Sequence, residues 1–204
     1  MSQYGSLKHI IDLETLLGWR LSKIDFSCIT DDSITYSWGD ESELINWIRN
    51  KDANEQFGGN FYNISGSDSH QINKPSKYPL IWLVTPTTGV NEGDIKRFNG
   101  VQLIICKNTT ESWLNAARWK EHFPTLQAIA DKIIDKLRGD VRIVTENRVL
   151  KYSYRNVPKY SVSETGNDTA KQKALDIWDA VVITTDLLTN NSCRCEDYKR
   201  FCNK

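Results

Sequence analysis

The stretch from Ser112 to Leu137 joins an aromatic-rich helical turn to an amphipathic helix and lies between apolar strand-like runs. Leu126, Ile129, Ala130, Ile133, Ile134 and Leu137 fall at the i, i+3, i+4, i+7, i+8 and i+11 positions of one helix face. Gln127, Asp131, Lys132, Asp135 and Lys136 occupy the other. A helix divided in this way needs an apolar layer to lie on and water on its outer side. The flanking runs Tyr78 to Thr85 and Gly100 to Lys107 have the length and composition of strands and supply that layer as adjacent central strands.

The remaining segments extend this pattern. Leu7, Ile10, Ile11, Leu16, Leu17 and Leu21 have helical spacing, and Lys23 to Trp38 alternates as a strand or hairpin with a turn at Asp31-Asp32-Ser33. Gly39-Asp40 precedes a short helix from Glu41 to Arg49, with acids in its first turn and Leu44, Ile45 and Ile48 on one face. Lys51 to Ser76 is polar and turn-rich, with one strand-like island at Asn60 to Ile64, and Pro86 to Asn99 reads as a connection. Pro124 suits the first turn of a helix, which predicts two helical pieces, Glu111 to Phe123 and Pro124 to Arg138, meeting at a bend and stopped by Gly139. Val141 to Tyr154 reads as a strand or hairpin, Arg155 to Lys173 as a polar arm with few core candidates, and Ala174 to Leu188 as the last apolar strand. The expected fold is α+β. It forms a single domain over residues 1–190, with a loop insertion at 51–76 and an arm at 155–173, followed by a cysteine-bearing tail at 191–204.

Bulk properties exclude some function classes. The 204 residues suffice for one core, and 26 basic against 26 acidic residues leave no positive field to gather free nucleic acid. The longest apolar run, Leu80 to Val84, is far shorter than the roughly 20 residues of a membrane span. Five cysteines, with Cys28 and Cys106 in apolar stretches, and an N-terminus lacking a basic-then-apolar signal pattern favour a reducing cytoplasm.

Candidate chemistries have structural explanations. Cys193-Arg194-Cys195 with Cys202 departs from the paired C-x₂₋₄-C units that hold zinc and has no local fourth ligand, so it reads as tail thiols or an adventitious disulfide. His9, His70 and His122 are scattered, and no G-x-S-x-G or H-E-x-x-H motif supplies a nucleophile or metal pair. His122, beside Trp119 and Phe123, reads as a helix-end packing residue. Gly58-Gly59 and Gly66-Ser67 are turn glycines, since neither opens a helix after a strand. Asp31-Asp32 and Asp40-Glu41 depart from the spacing of a calcium loop. Trp82 and Trp178 sit in apolar strands and belong to the core. Trp113 and Trp119 are six residues apart and do not share a helix stripe, which leaves two readings, packing in the chain's own core or, for one of them, exposure to a partner. No catalytic, cofactor-binding or metal-binding residue is assigned.

The order of elements carries a resemblance. An N-terminal helix, the strand Tyr78-Pro79-Leu80-Ile81-Trp82-Leu83, the strand Leu103-Ile104-Ile105, the helix Arg118…Phe123-Pro124-Thr125-Leu126…Ile129…Ile133…Leu137 and a closing strand ending Val181-Val182-Ile183 together resemble the tail terminator and neck proteins of tailed bacteriophages. The Tyr-Pro-apolar strand and the Arg…Phe-x-x-Leu…Ile helix are most similar to versions from phages of gut Bacteroidetes, including crAss-like phages. The resemblance covers roughly residues 78–188. It implies a small α+β fold, an antiparallel or mixed β-sheet with helices packed on one face and no active site, assembled as a homo-oligomeric ring between portal and tail in the virion and put together in the host cytoplasm. Its partners would be neighbouring portal, neck and tail proteins, with DNA passing through without sequence-specific binding. The insertion at 51–76 and the cysteine tail depart from that pattern. The competing expectations are a monomeric protein-binding or inhibitor module and, third, a small metal-dependent hydrolase using Asp31, Asp32 or the C-terminal cysteines.

Overall fold

The computed structural model describes residues 13–30, 34–40, 43–44, 62–64, 78–85, 87, 89–92, 95–110, 112–140, 143–144, 149–160 and 177–190. The amphipathic stretch forms helix α3, Phe123–Arg138, and all six of its apolar-face residues are buried. Pro124 stands in its first turn, where its missing N–H leaves no bond unmade. At the other end the Gly139 N–H donates to the carbonyl of Asp135 at 3.1 Å, so the helix stops as the sequence predicts. Its aromatic-rich preface is shorter than expected: helix α2 spans Asn115–Glu121, and Trp113 lies ahead of it with its N–H bonded to the Thr110 carbonyl at 3.3 Å.

Helix α1, Leu13–Leu21, packs beside α3 on the same sheet face. The Tyr36 hydroxyl donates to the Glu14 carbonyl at 2.9 Å and ties this helix to the sheet. Leu7, Ile10 and Ile11 of the expected helix, the turn at 31–33, and Ile45 and Ile48 lie outside the described residues. The start of the second expected helix is visible as a reciprocal cap, in which the Glu43 N–H donates to Asp40 Oδ1 and the Asp40 N–H donates to Glu43 Oε2, both at 2.8 Å.

Eight described strands make one mixed sheet: β1 (Ile34–Gly39), β2 (Tyr62–Ile64), β3 (Leu80–Val84), β4 (Gly89–Glu92), β5 (Ile95–Thr109), β6 (Ile143–Val144), β7 (Tyr152–Val157) and β8 (Ile177–Asn190). The order is β2-β1-β3-β5-β8-β6, with β4 also on β5 and β7 also on β8. Only β1 and β3 run parallel; every other pair is antiparallel. The expected neighbours β3 and β5 are indeed adjacent, with Ile81 opposite Ile105.

Three readings need correction. The segment Pro86 to Asn99 is not merely a connection: β4 and the first residues of β5 form a hairpin that lengthens β5 to 15 residues. Gly100 lets this long strand continue. Its φ of 63° accommodates the extra residue between the Phe98 and Val101 pairings, and its N–H donates to Asp186 Oδ1 at 2.7 Å. Val141 to Tyr154 is not a hairpin on itself, because β6 and β7 each pair with β8. The arm Arg155 to Lys173 begins later than read, since Arg155 to Val157 belong to β7 and Val157 and Tyr160 are buried; residues 161–173 lie outside the described residues.

Both sheet faces carry core. The helix face gathers Ile81, Leu83, Leu103, Ile105, Val181 and Ile183 under α1 and α3. The opposite face buries Trp82, Ile104, Cys106, Trp178 and Val182, with Leu44 and Tyr160 against them. Trp82 and Trp178 are therefore core residues, as expected. Cys28, in contrast, is exposed although its neighbourhood is apolar: Ile24 and Phe26 turn inward, and Cys28 receives a bond from Lys132 Nζ at 2.9 Å. No described helix is long and apolar enough to cross a membrane.

Candidate functional site

β8 carries two acids, and while Asp186 is exposed the other lies in the strand's apolar first half. Asp179 stands between Trp178 and Ala180, fully buried, and a carboxylate there requires partners. The strand's alternation turns it to the helix face, beneath the joint between α2 and α3. Two residues of that joint answer it. Arg118 Nη1 donates to Asp179 Oδ1 at 2.7 Å, with both side chains fully buried, and His122 Nδ1 bonds Asp179 Oδ2 at 2.8 Å. The backbone N–H of Lys159, a residue with φ 54°, adds a third bond to Oδ1 at 3.3 Å.

His122 reaches this position because it ends one helix and starts the next. Its N–H donates to the Arg118 carbonyl at 2.9 Å, and its own carbonyl accepts from the Leu126 N–H at 3.0 Å. An ionised carboxylate only accepts, so Nδ1 carries the proton and donates it to Asp179. The imidazole is thereby oriented as in a catalytic His–Asp pair. Among the described residues, however, no hydroxyl or thiol is hydrogen-bonded to its other nitrogen. The Trp113 ring covers the imidazole instead, with centroids 4.8 Å apart.

Arg118 spends its remaining donors on the chain leading into α2. Nη1 also meets Thr109 Oγ1 at 2.8 Å, Nε donates to the Trp113 carbonyl at 3.1 Å, and Nη2 donates to the Thr110 carbonyl. The planar guanidinium thus links Asp179 to three residues, Thr109, Thr110 and Trp113, a task that suits its fixed fork of N–H groups.

Above this buried cluster three large apolar side chains are exposed among polar neighbours. Trp113 is 37% exposed, Leu114 77% and Trp119 49%, all within one short segment. Trp119 rests one edge on Phe123, with ring centroids 4.5 Å apart. Of the two readings, exposure or own-core packing, the structure gives something of each, since both tryptophans rest one face on the domain and are partly exposed. The spacing argument did not apply, since Trp113 precedes the helix. Elsewhere Val90, Val149 and Tyr154 are the other large apolar side chains that the described surface exposes.

His122 is thus the packing residue that the sequence predicts, with a buried acid partner that the sequence reading missed. The signal was present in Asp179, the one acid within the run Ile177 to Ile183, which implies a buried cation or donor. His9, His70, Asp31, Asp32, Gly58, Gly59, Gly66, Cys193, Cys195 and Cys202 lie outside the described residues. Asp40 is a helix cap, and among the described residues no group of three or more His, Cys, Asp or Glu side chains converges as a metal site would. No protein-family model matches this chain, and no characterised protein matches it by sequence.

Proposed function

We propose that this chain is a non-enzymatic structural protein of a tailed-phage virion, forming a homo-oligomeric ring at the head–tail junction as a tail terminator or neck connector. The virion setting rests on the resemblance of residues 78–188 to such proteins. The observation that carries a binding role is the segment bearing Trp113, Leu114 and Trp119, which holds three large apolar side chains outward from a closed domain. Aromatic residues of this kind anchor protein interfaces, where they bury much area at low entropic cost.

A closed ring needs a heterologous contact, with two different patches on each subunit. The aromatic segment is one. The surface of β7 around Tyr154, reached from the exposed Val149, is a chemically different one and is the proposed counterpart on the next copy. Balanced net charge suits a channel component, because DNA then passes without dense Lys/Arg contacts holding it.

Light scattering across a wide concentration range, followed by negative-stain imaging, tests this reading. Rings of defined size support it and direct the search to portal and tail partners. A chain that stays monomeric at high concentration and ignores portal and tail proteins overturns it. The same aromatic segment also favours a second reading, a monomeric binding or inhibitor module, whose signature is one tight complex of small fixed stoichiometry and no ring.

A further inference from the structure

We infer that Arg118, Asp179 and His122 are positioning residues, whose buried cluster fixes the outward pose of the Trp113–Leu114 segment and so sets the interface of the proposed function, on which this inference rests. Left to hydrophobic burial alone, a segment with two tryptophans and a leucine would fold its rings onto the sheet. Here Trp113 rests on the His122 ring and Trp119 on the Phe123 ring, 37% and 49% exposed, with Leu114 outermost, and the bonds that hold this pose are specific. The Arg118 guanidinium grips the carbonyls of Thr110 and Trp113, which fixes the backbone on either side of the turn, while Thr109 Oγ1 holds the end of β5 to the same group. Asp179 anchors that guanidinium to the sheet, and His122, held by the other carboxylate oxygen, places its ring under the Trp113 indole.

The same geometry argues against a catalytic role for the pair. Both Asp179 oxygens are taken, the imidazole is covered by an indole, and the residue as a whole is buried. What the cluster controls is the shape of the surface above it.

The test separates pose from assembly. Arg118→Lys keeps a positive charge near Asp179 but loses the fork that spans three acceptors. His122→Asn keeps a donor close to the Nδ1 position and removes the ring under Trp113; it serves if the lysine variant fails to fold. Hydrogen exchange is then read at the amides of Trp113 and Ala117, which bond to Thr110 and Leu114, against the amides of Ile129 and Ile133 as an internal standard. The expected result is an acceleration at the first pair about tenfold or more beyond that at the second, whose exchange through global opening reports the variant's overall loss of stability. Wild-type exchange at Trp113 and Ala117 in a folded variant overturns the positioning role.

Assembly is read on the same samples. If the wild-type chain forms rings, the variants need about tenfold higher concentration to do so, at a temperature where both are folded. Wild-type assembly by a variant with loosened amides overturns the link between pose and interface. If the wild-type chain never assembles, the ring reading falls, while the exchange result still decides the positioning role.

Discussion

Asp179→Ala is the most demanding single perturbation of this molecule. It removes the acceptor of Arg118 Nη1 at 2.7 Å, of His122 Nδ1 at 2.8 Å and of the Lys159 amide at 3.3 Å. The guanidinium is left with neutral partners alone, Thr109 Oγ1 and the carbonyls of Thr110 and Trp113, and with no exposure to water. A buried charge stripped of its partner costs about 3–5 kcal/mol. Set against a total of about 5–15 kcal/mol, that brings the fold close to its threshold. For a chain of this size about 2–4 °C of melting temperature goes with each kcal/mol, so the expected fall is about 6–20 °C. Urea unfolding followed by circular dichroism measures it, with an unchanged m-value showing that the native state stays compact. Replacing the cluster entirely, as Asp179→Leu with Arg118→Met and His122→Phe, recovers most of the loss, because apolar groups of similar volume often substitute for a buried ion cluster without penalty. A loss below about 1 kcal/mol for Asp179→Ala would refute the reasoning, since it lies within the range of ordinary surface changes and would mean that water reaches the guanidinium.

Three further outcomes follow from packing and capping. Ile133→Ala deletes three buried carbons from the α3 face and costs about 2–5 kcal/mol in chemical unfolding, while Asp131→Ala on the exposed side stays within about 0.5 kcal/mol. Asp40→Ala removes half of the reciprocal cap with Glu43 and costs about 0.5–2 kcal/mol, read in the same assay. Asp25 is held below its ordinary value of 3.8, first by hydrogen bonds from Ser27 and then by the nearby Lys132 charge. Because the folded value is the lower one, the small stabilisation is present at neutral pH and is lost as pH falls through the folded value, below 3.8. Ser27→Ala raises the Asp25 value toward the ordinary one, which carboxyl-detected NMR titration measures.

What the sequence made legible was whatever repeats at short range. The α3 face emerged whole because 3.6-residue periodicity is a local property, and β3 and β8 emerged because their apolar runs are continuous. The outer half of β5 did not, since Lys96, Arg97 and Gly100 look like a turn until β4 and β8 pair on either side of them. The partners of β6 and β7 were equally hidden, because nothing in Val141 to Tyr154 says that both segments choose a strand more than thirty positions downstream, as the Tyr152 to Thr185 register shows. Tyr160 was missed for the related reason that a single buried ring among polar neighbours has no period. The candidate site was least legible of all. Its bonds join Arg118 and His122 to a residue 61 and 57 positions away, and only an acid set within the run Ile177 to Ile183 hinted that such partners exist.

The position of the cluster bears on its purpose. A buried ion pair adds little net stability, since desolvation offsets most of the attraction, so its presence calls for another gain, and specificity of one arrangement over its neighbours is the best attested. At the α2–α3 joint the competing arrangement is easily named: the same segment with Trp113 and Trp119 turned inward. That alternative would bury more apolar area, but the rings are only 37% and 49% exposed, together less than one whole side chain and so about 1.5–3 kcal/mol, whereas pulling the Thr110 and Trp113 carbonyls off Arg118 disturbs a buried pair whose loss costs about 3–5 kcal/mol. An outward aromatic edge is therefore the stable state of the isolated chain, ready before any partner arrives. On the proposed reading this matters for assembly, because a preformed edge spares a ring the ordering cost that a collapsed segment would add at every subunit contact.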